Sequence, residues 1–268
     1  MSQSQSPNIA NDYNEFVPFT ARMMAAMRSL ESARNDRLFD DPFAATLAGE
    51  EAFQRVEQQL TQQDKMYVAV RTRFFDDFLL STSVRQVVIL ASGLDTRAYR
   101  LPWCSGMKLY ELDFPEVLDY KESCLKNINF KCDRYGIPAD LNQPWEDKLI
   151  AAGYCPEHPS IWLAEGLLMY LSEDRVHQIL STISRLSISG SYLGLDLINT
   201  HSLEYEPYRG YFQSGWDNPE ELLSIYGWEA KVIQPGDDGA NFDRLTESFP
   251  PRNVAGIQRV FLIRAVKK

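Results

Sequence analysis

A run of apolar residues that ends in a turn of small residues constrains this chain more than any other feature. The stretch from Val87 to Leu90 is typical of a buried strand, and the small residues Ala91–Gly93 follow it before a helix begins. Small side chains at such a turn allow backbone N–H groups to approach a ligand. Asp113 ends the next apolar strand, 20 residues after Gly93, which is the interval expected for an acid that binds ribose hydroxyls.

This pattern predicts a nucleoside-binding pocket. The turn lacks the full G-x-G-x-x-G motif, because Ala91 stands where a first glycine is expected. The alternative is an ordinary strand-to-helix turn, in which Asp113 only starts the following helix.

Strands and helices alternate after residue 83, which is typical of a parallel sheet covered by helices on both faces. We therefore predict a doubly wound, mostly parallel α/β fold in a single domain, with a helical cap over residues 1–80 and a core over 84–268. The last two strands are expected to form a hairpin joined by the loop at 235–239. The predicted strands are 86–91, 107–112, 135–139, 160–164, 192–198, 228–234 and 258–265.

Three acids follow successive strands of this predicted sheet. Asp113, Asp140 and Glu165 would all lie at its carboxyl edge, where open α/β sheets bind their ligands. Asp113 is the best candidate for the ribose, since one carboxylate can accept hydrogen bonds from two neighbouring hydroxyls. For Asp140 the alternative is a helix cap, because Pro144 and Trp145 could open a helix just beyond it.

An aromatic segment at 199–217 interrupts the alternation after the fifth strand. Such a segment at a strand's carboxyl end lies where a lid over a ligand is expected. The alternative is a connection that its aromatic side chains fix to the surface. The tyrosines of this segment that we expect to contact a substrate are Tyr205, Tyr208 and Tyr211.

Neither a hydrolytic triad nor a zinc motif can be identified in the sequence. Ser92 lacks the sequence of a nucleophile elbow, and the histidines His158, His177 and His201 show no spacing typical of zinc ligands. The cysteines Cys104, Cys124, Cys132 and Cys155 have no C-x-x-C pairing. We expect reduced thiols and no metal.

The net charge of −10 argues against a surface that binds nucleic acid, which requires clustered Lys and Arg. The sequence also contains no apolar run of about 18 residues that could span a bilayer, and its first residues do not resemble a secretion signal. We therefore expect a cytoplasmic protein with neither a nucleic acid nor a membrane as partner.

Four ordered motifs resemble the leucine carboxyl methyltransferase family, including its bacterial S-adenosylmethionine-dependent O-methyltransferases. They are Ala-Ser-Gly-Leu-Asp-Thr-Arg-Ala-Tyr-Arg-Leu at 91–101, Glu-Leu-Asp-Phe-Pro-Glu-Val-Leu at 111–118, Ala-Asp-Leu at 139–141 and Trp-Leu-Ala-Glu-Gly-Leu-Leu-Met-Tyr-Leu at 162–171. The resemblance extends from about residue 21 to 191. Where the family usually has Gly-Ala-Gly, this chain has Ala91-Ser92-Gly93. The resemblance implies a seven-stranded Rossmann-like methyltransferase sheet whose final strand inserts antiparallel.

The resemblance also implies roles for particular residues. Ala91, Ser92 and Gly93 would form the cofactor turn, Asp140 and Leu141 would face the adenine, and Glu165 would contact the cofactor's amino acid end. The family has an arginine on the helix before the sheet. We assign that position to Arg71 rather than Arg73, because a guanidinium can hold the cofactor's carboxylate bidentately. A solvated helix arginine is the alternative. In the last motif, we expect Tyr170 to contact the acceptor.

The sequence thus predicts methyl transfer from S-adenosylmethionine to a carboxyl or hydroxyl oxygen of a small molecule or peptide. An alcohol must lose a proton whereas a carboxylate is already ionised, so the missing base favours a carboxylate. If a base is needed, His201 is the candidate. A nicotinamide-dependent oxidoreductase on a similar sheet and a non-catalytic cofactor-binding protein remain alternatives.

Overall fold

The computed structural model describes residues 9–205, 209–247 and 249–268. Three helices precede the sheet: α1 (Ile9–Ser32), α2 (Ala44–Gln59) and α3 (Gln62–Leu80). Thr61 and Asp64 begin α3 with a reciprocal cap, in which each side chain accepts a hydrogen bond from the other residue's backbone N–H. None of the described helices is long and apolar enough to cross a bilayer.

Seven strands form one sheet in the order β3-β2-β1-β4-β5-β7-β6. They are β1 (Gln86–Leu90), β2 (Lys108–Asp113), β3 (Asp133–Pro138), β4 (Ile161–Ala164), β5 (Tyr192–Ile198), β6 (Trp228–Ile233) and β7 (Val260–Lys267). The helices between them are α4 (Arg97–Arg100), α5 (Pro115–Cys124), α6 (Glu146–Ala151), α7 (Glu173–Arg185) and α8 (Pro219–Ser224).

The first five strands are parallel, and β7 lies antiparallel between β5 and β6. The prediction of a doubly wound, mostly parallel methyltransferase sheet is therefore confirmed. The hairpin connection is longer than predicted: it spans residues 234–259, and the loop at 235–239 is only its first part. Strand β1 ends one residue early, because Ala91 has φ of +48° and leaves the extended conformation.

Helices cover both faces of the sheet, which is why its central strands are apolar throughout rather than alternating. In β1, Val87 and Ile89 pack toward α1 and α3, whereas Val88 and Leu90 pack toward α6 and α7. Helix α7 contributes the buried stripe Val176, Ile179, Leu180 and Ile183, and Ser172 caps its first turn as predicted. The two faces thus form two packed cores.

The order of the strands determines where a ligand can bind. From β1 the chain moves outward to β2 and β3, then returns to β4 on the other side of β1. Loops diverge at this switch point and leave a crevice at the carboxyl ends of the strands. The ends of β1, β2, β4 and β5 all face this crevice.

Candidate functional site

A cavity of about 820 Å³ opens at the carboxyl edge of the sheet. The turn after β1, the ends of β2 and β4, and the strand β5 form its floor, while α1 and α3 form one side. All eight residues predicted to bind the cofactor line this one cavity: Arg71, Ala91, Ser92, Gly93, Asp113, Asp140, Leu141 and Glu165.

The turn after β1 approaches the cavity with its backbone. Ala91 and Gly93 both have positive φ, +48° and +52°. The Ser92 N–H is bonded to the carbonyl of Leu112 on β2, which fixes the turn to the sheet. A side chain at Gly93 would have only the Ala21 methyl group within 4 Å, at 3.5 Å, so the space beside Gly93 is open.

Asp113 is held at the end of β2 by two backbone donors. Its Oδ2 accepts from the Gly93 N–H at 2.5 Å, and its Oδ1 accepts from the Phe114 N–H at 2.7 Å. Each carboxylate oxygen keeps a further lone pair for a ligand. The residue is only 6% exposed, and this burial raises the pKa of its carboxyl group.

The loop after β3 brings Asp140 and Leu141 to the cavity. The Asp140 carboxylate accepts from the Asn142 N–H at 2.8 Å and so closes a turn of its own. Helix α6 begins at Glu146 after Trp145, so the alternative role of Asp140 as its cap is wrong.

Arg71 lies in a buried ion network rather than on the solvated surface of α3. Its Nε donates to Glu165 Oε1 and its Nη1 to Asp196 Oδ2, both at 3.0 Å. The remaining nitrogen, Nη2, has only the sulfur of Met24 as partner, at 3.5 Å. The guanidinium is therefore fixed on two carboxylates and keeps one weakly bonded end.

The sequence did not point to two members of this network. Arg97 is 3% exposed and pairs with Asp95, Asp76 and Glu165 Oε2. Asp196 is fully buried on β5 and also accepts from the Gly166 N–H at 2.6 Å. An acid inside the apolar strand 192–198 was a signal in the sequence, because a buried charge requires partners.

Tyr67 adds a hydroxyl to the same network. It lines the cavity one helical turn before Arg71, and its hydroxyl donates to Asp196 Oδ2 at 3.2 Å. Burial raises the pKa of Tyr67, and the neighbouring Asp196 charge adds to this effect. Burial likewise raises the pKa of Asp196. Tyr67 is therefore a protonated phenol that is hydrogen-bonded to the buried Asp196 side chain.

The residues that the sequence predicted to contact the methyl acceptor fall into two groups. Tyr170 and Tyr205 line the cavity, whereas Tyr211 is not among its lining residues and Tyr208 lies outside the described residues. Phe212, another aromatic residue of the predicted lid, lines it as well, and so does Gln213, which was not predicted. The Phe212 ring packs at 5.4 Å from that of Tyr170.

The structure does not bring His201 to the cavity. Residues Thr200–Glu204 form a 3-10 helix, in which positions three apart share a side. Ser202 and Tyr205 face the cavity, whereas His201 is exposed on another side. No histidine in the described part of the chain lines the cavity.

Both ends of the predicted lid are fixed to the sheet side of the cavity. The N–H groups of Gln213 and Ser214 donate to the Met169 carbonyl, and that of Trp216 donates to the Ile198 carbonyl. At the other end the Asn199 side chain accepts from the Arg259 N–H at 2.9 Å. The middle of the predicted lid includes residues 206–208, which lie outside the described residues.

A family model described as leucine carboxyl methyltransferase matches residues 21–184. A relative from Saccharopolyspora erythraea, named "putative S-adenosyl-L-methionine-dependent methyltransferase", is 36% identical, with 85% of this chain and 88% of the relative covered. A Parafrankia relative of the same name is 43% identical over 66% of this chain, but the match spans only 62% of that relative.

Two solved structures share the fold. A DUF574 family protein from Streptomyces avermitilis superposes with a TM-score of 0.59 at 14% identity, covering 93% of this chain and 97% of that one. A protein from Thermobifida fusca, titled "putative methyltransferase", gives a TM-score of 0.55 at 19% identity, covering 92% and 94%. At these identities the likeness concerns the fold alone.

Proposed function

The chain belongs to the leucine carboxyl methyltransferase family, and we propose that it transfers the methyl group of S-adenosylmethionine to a carboxylate of a small molecule or peptide. One observation carries the proposal: residues from each of the four family motifs line a single cavity that no described histidine lines. Its class, an S-adenosylmethionine-dependent methyltransferase, follows from the family. The carboxylate is our proposal.

The cavity residues fit this cofactor. Asp113 keeps lone pairs for ribose hydroxyls after it has accepted from two backbone N–H groups. Arg71 Nη2, which has only a thioether as partner, is suited to the methionine carboxylate, and Glu165 beside it to the α-ammonium. Asp140 and Leu141 would hold the adenine.

When bound, the cofactor supplies a methyl group already activated by the sulfonium, so the protein needs no covalent intermediate. The chain's own residues then have two tasks. Arg71, Glu165 and Asp113 fix one reactant, while aromatic residues such as Tyr170 and Phe212 exclude water from the other. Alignment in a dry cavity is thus the main source of rate acceleration.

The protonation state of the two possible acceptors at neutral pH supports a carboxylate. A carboxylate is ionised at neutral pH and attacks directly, whereas an alcohol benefits from a base positioned beside it. His201 is exposed and turned away, so it is not placed to act as that base.

A hydroxyl acceptor is the second candidate, because of the Tyr67–Asp196 pair. An alcohol could pass its proton to the Tyr67 oxygen while the Tyr67 proton moves to Asp196 Oδ2. The Arg71 guanidinium on the same Oδ2 opposes this transfer, because it stabilises the ionised carboxylate.

The dependence of rate on pH distinguishes the two candidates. With a carboxylate acceptor, the rate should be nearly flat from about pH 6 to 9, and His201→Asn and Tyr67→Phe should retain most activity. A steep alkaline rise that Tyr67→Phe abolishes would replace the carboxylate with a hydroxyl. Calorimetry with S-adenosylhomocysteine, NAD and NADP tests the cofactor separately, and turnover excludes a purely binding role.

We also propose that the segment at 199–217, which is held at both of its ends, acts as a lid over the acceptor. Proteolysis of this segment should slow when S-adenosylhomocysteine and acceptor are both present. Equal cleavage with and without the ligands would favour a fixed connection.

A further inference from the structure

The cavity has two halves of different origin. The family match ends at Ser184, and the cofactor residues lie on elements before it. Beyond Asp196, whose carboxylate pairs with Arg71, the rest of the cavity is lined by residues from Ile198 onward, on the end of β5, the segment after it and the β6–β7 connection; we call this set the distal wall. Cofactor binding thus depends on the part matched by the family, and acceptor recognition on the distal wall.

Seven of the twelve residues of the distal wall are apolar, and the other five are polar or charged. The apolar members are Ile198, Tyr205, Phe212, Pro235, Leu245, Phe249 and Val260. Such a surface disfavours an acceptor whose body carries many polar groups, because burying polar groups without partners costs free energy. It favours an acceptor with an apolar body, of which aromatic rings fit best beside Phe212 and Phe249.

Two charged side chains belong to the distal wall, and they differ in burial. Glu247 is exposed, so water and salt screen its charge. Arg259 is 3% exposed. The field of a buried charge is screened much less, so of the two charges of the distal wall Arg259 contributes more to the local potential, and its contribution is positive.

The guanidinium of Arg259 is held entirely by neutral acceptors. Its Nη1 donates to Gln234 Oε1 at 2.7 Å and the Pro250 carbonyl at 2.6 Å, and its Nη2 donates to the carbonyls of Pro251 and Val254. No ion pair joins it to a carboxylate of the described residues. Its hydrogen bonds are satisfied, but its charge is not neutralised.

Four guanidinium groups of the cofactor half are different. Arg28 pairs with Asp41, Arg71 with Glu165 and Asp196, Arg97 with Asp76, Asp95 and Glu165, and Arg100 with Asp76. Half-buried Arg175 is the exception there, because it donates to the Gln178 side chain and the Gln143 carbonyl. The cofactor half is therefore rich in paired acids, whereas the distal wall carries a buried cation without such a partner among the described residues.

We infer that the acceptor is an apolar monocarboxylic acid and that Arg259 selects its charge from within the distal wall. This inference rests on the proposed function and adds the class of acceptor to it. Arg259 makes no step of the reaction. It is a specificity-determining residue that acts through its field, because its N–H groups on Nη1 and Nη2 are already used by the chain.

The test uses calorimetry on the protein loaded with S-adenosylhomocysteine. The probes are 2-naphthoate, its neutral amide 2-naphthamide, and acetate, which has the charge without the apolar body. We expect 2-naphthoate to bind at least about tenfold more tightly than either of the others. Arg259→Gln should abolish the preference of the protein for 2-naphthoate over 2-naphthamide, whereas Arg259→Lys should retain most of this preference. Arg252→Gln is the control at the surface of the same connection and should leave the preference unchanged.

The ratio between naphthoate and naphthamide separates charge selection from a merely structural role. If Arg259 only shapes the connection, its variants weaken both ligands equally, and that result overturns the inference. Failure of 2-naphthoate to bind, or acetate binding as well as 2-naphthoate, overturns it too. A separate titration measures S-adenosylhomocysteine binding, and absence of binding there would refute the proposed function. In that case, titration of the unloaded protein with 2-naphthoate still tests the inference about the distal wall.

Discussion

The Tyr67 hydroxyl lies 3.2 Å from the buried Asp196 carboxylate and connects α3 of the helical cap to β5 of the sheet. Arg71, one turn further along α3, donates to the same carboxylate oxygen. The helical cap is thus joined to the sheet by polar contacts at the floor of the cavity. Changes in this network should affect both stability and ligand binding.

Replacement of Arg71 should be far more costly than replacement of Arg73 on the same helix. Arg71→Ala leaves Glu165 and Asp196 without their shared cation, and removal of one partner from a buried pair costs about 3–5 kcal/mol. Arg73 forms a surface pair with Asp77, so Arg73→Ala should cost less than about 1 kcal/mol. Urea unfolding of both variants measures the difference; similar losses would contradict the described burial.

Asp113→Asn should weaken S-adenosylhomocysteine binding by about 1.5–3 kcal/mol, the scale of lost hydrogen bonds to a charged group. Asp119→Asn, an exposed change on the next helix, is the control and should bind normally. Calorimetry on the folded proteins measures both. Normal affinity in the Asp113 variant would remove this residue from the cofactor site.

The same substitution should show a defined pH dependence of stability. Because burial raises the pKa of Asp113, the folded protein holds this proton more tightly than the unfolded chain does. Stability from this group is present at low pH and lost as pH rises through the raised pKa. The unliganded Asp113→Asn variant should therefore gain stability relative to the native protein as pH rises from about 3.9, the ordinary aspartate pKa, to about 7.5. The midpoints of urea unfolding for the variant and the native protein, measured at the two pH values, give this gain. A difference in midpoint that stays constant or falls as pH rises would refute the raised pKa.

Ala91→Gly should stabilise the protein by about 0.5–1 kcal/mol. A non-glycine residue in the left-handed region costs about 1–2 kcal/mol, and the greater freedom of glycine in the unfolded chain offsets part of the gain. Ala98→Gly in α4, where the residue is helical, should instead destabilise by about 1 kcal/mol. Thermal unfolding compares them, and destabilisation by both would show that Ala91 is unstrained.

The sheet was predictable because its signals are local. Apolar runs bounded by turn residues placed every strand within about two residues, and the acids at the strand ends marked the crevice. The Tyr67–Asp196 pair joins residues 129 positions apart, so no local pattern could reveal it. His201 was misplaced for a similar reason: one step around a 3-10 helix turns a side chain from the cavity to solvent, and the sequence does not fix that rotation.

The segment at 199–217 shows a second limit of local reasoning. Its aromatic composition predicted contact with a ligand, and Tyr205 and Phe212 do line the cavity. Its anchors are backbone hydrogen bonds to Met169 and Ile198, which any residue type could form. These anchors therefore had to come from the structure.

The chemical nature of the methylated product tests the central claim most directly. The protein would be incubated with methyl-labelled S-adenosylmethionine and a panel of monocarboxylic acids, each paired with the matching alcohol. We predict label that depends on the acid and is released by mild alkali, as expected for a methyl ester. Alkali-stable label on the alcohols, with none on the acids, would contradict carboxyl methylation.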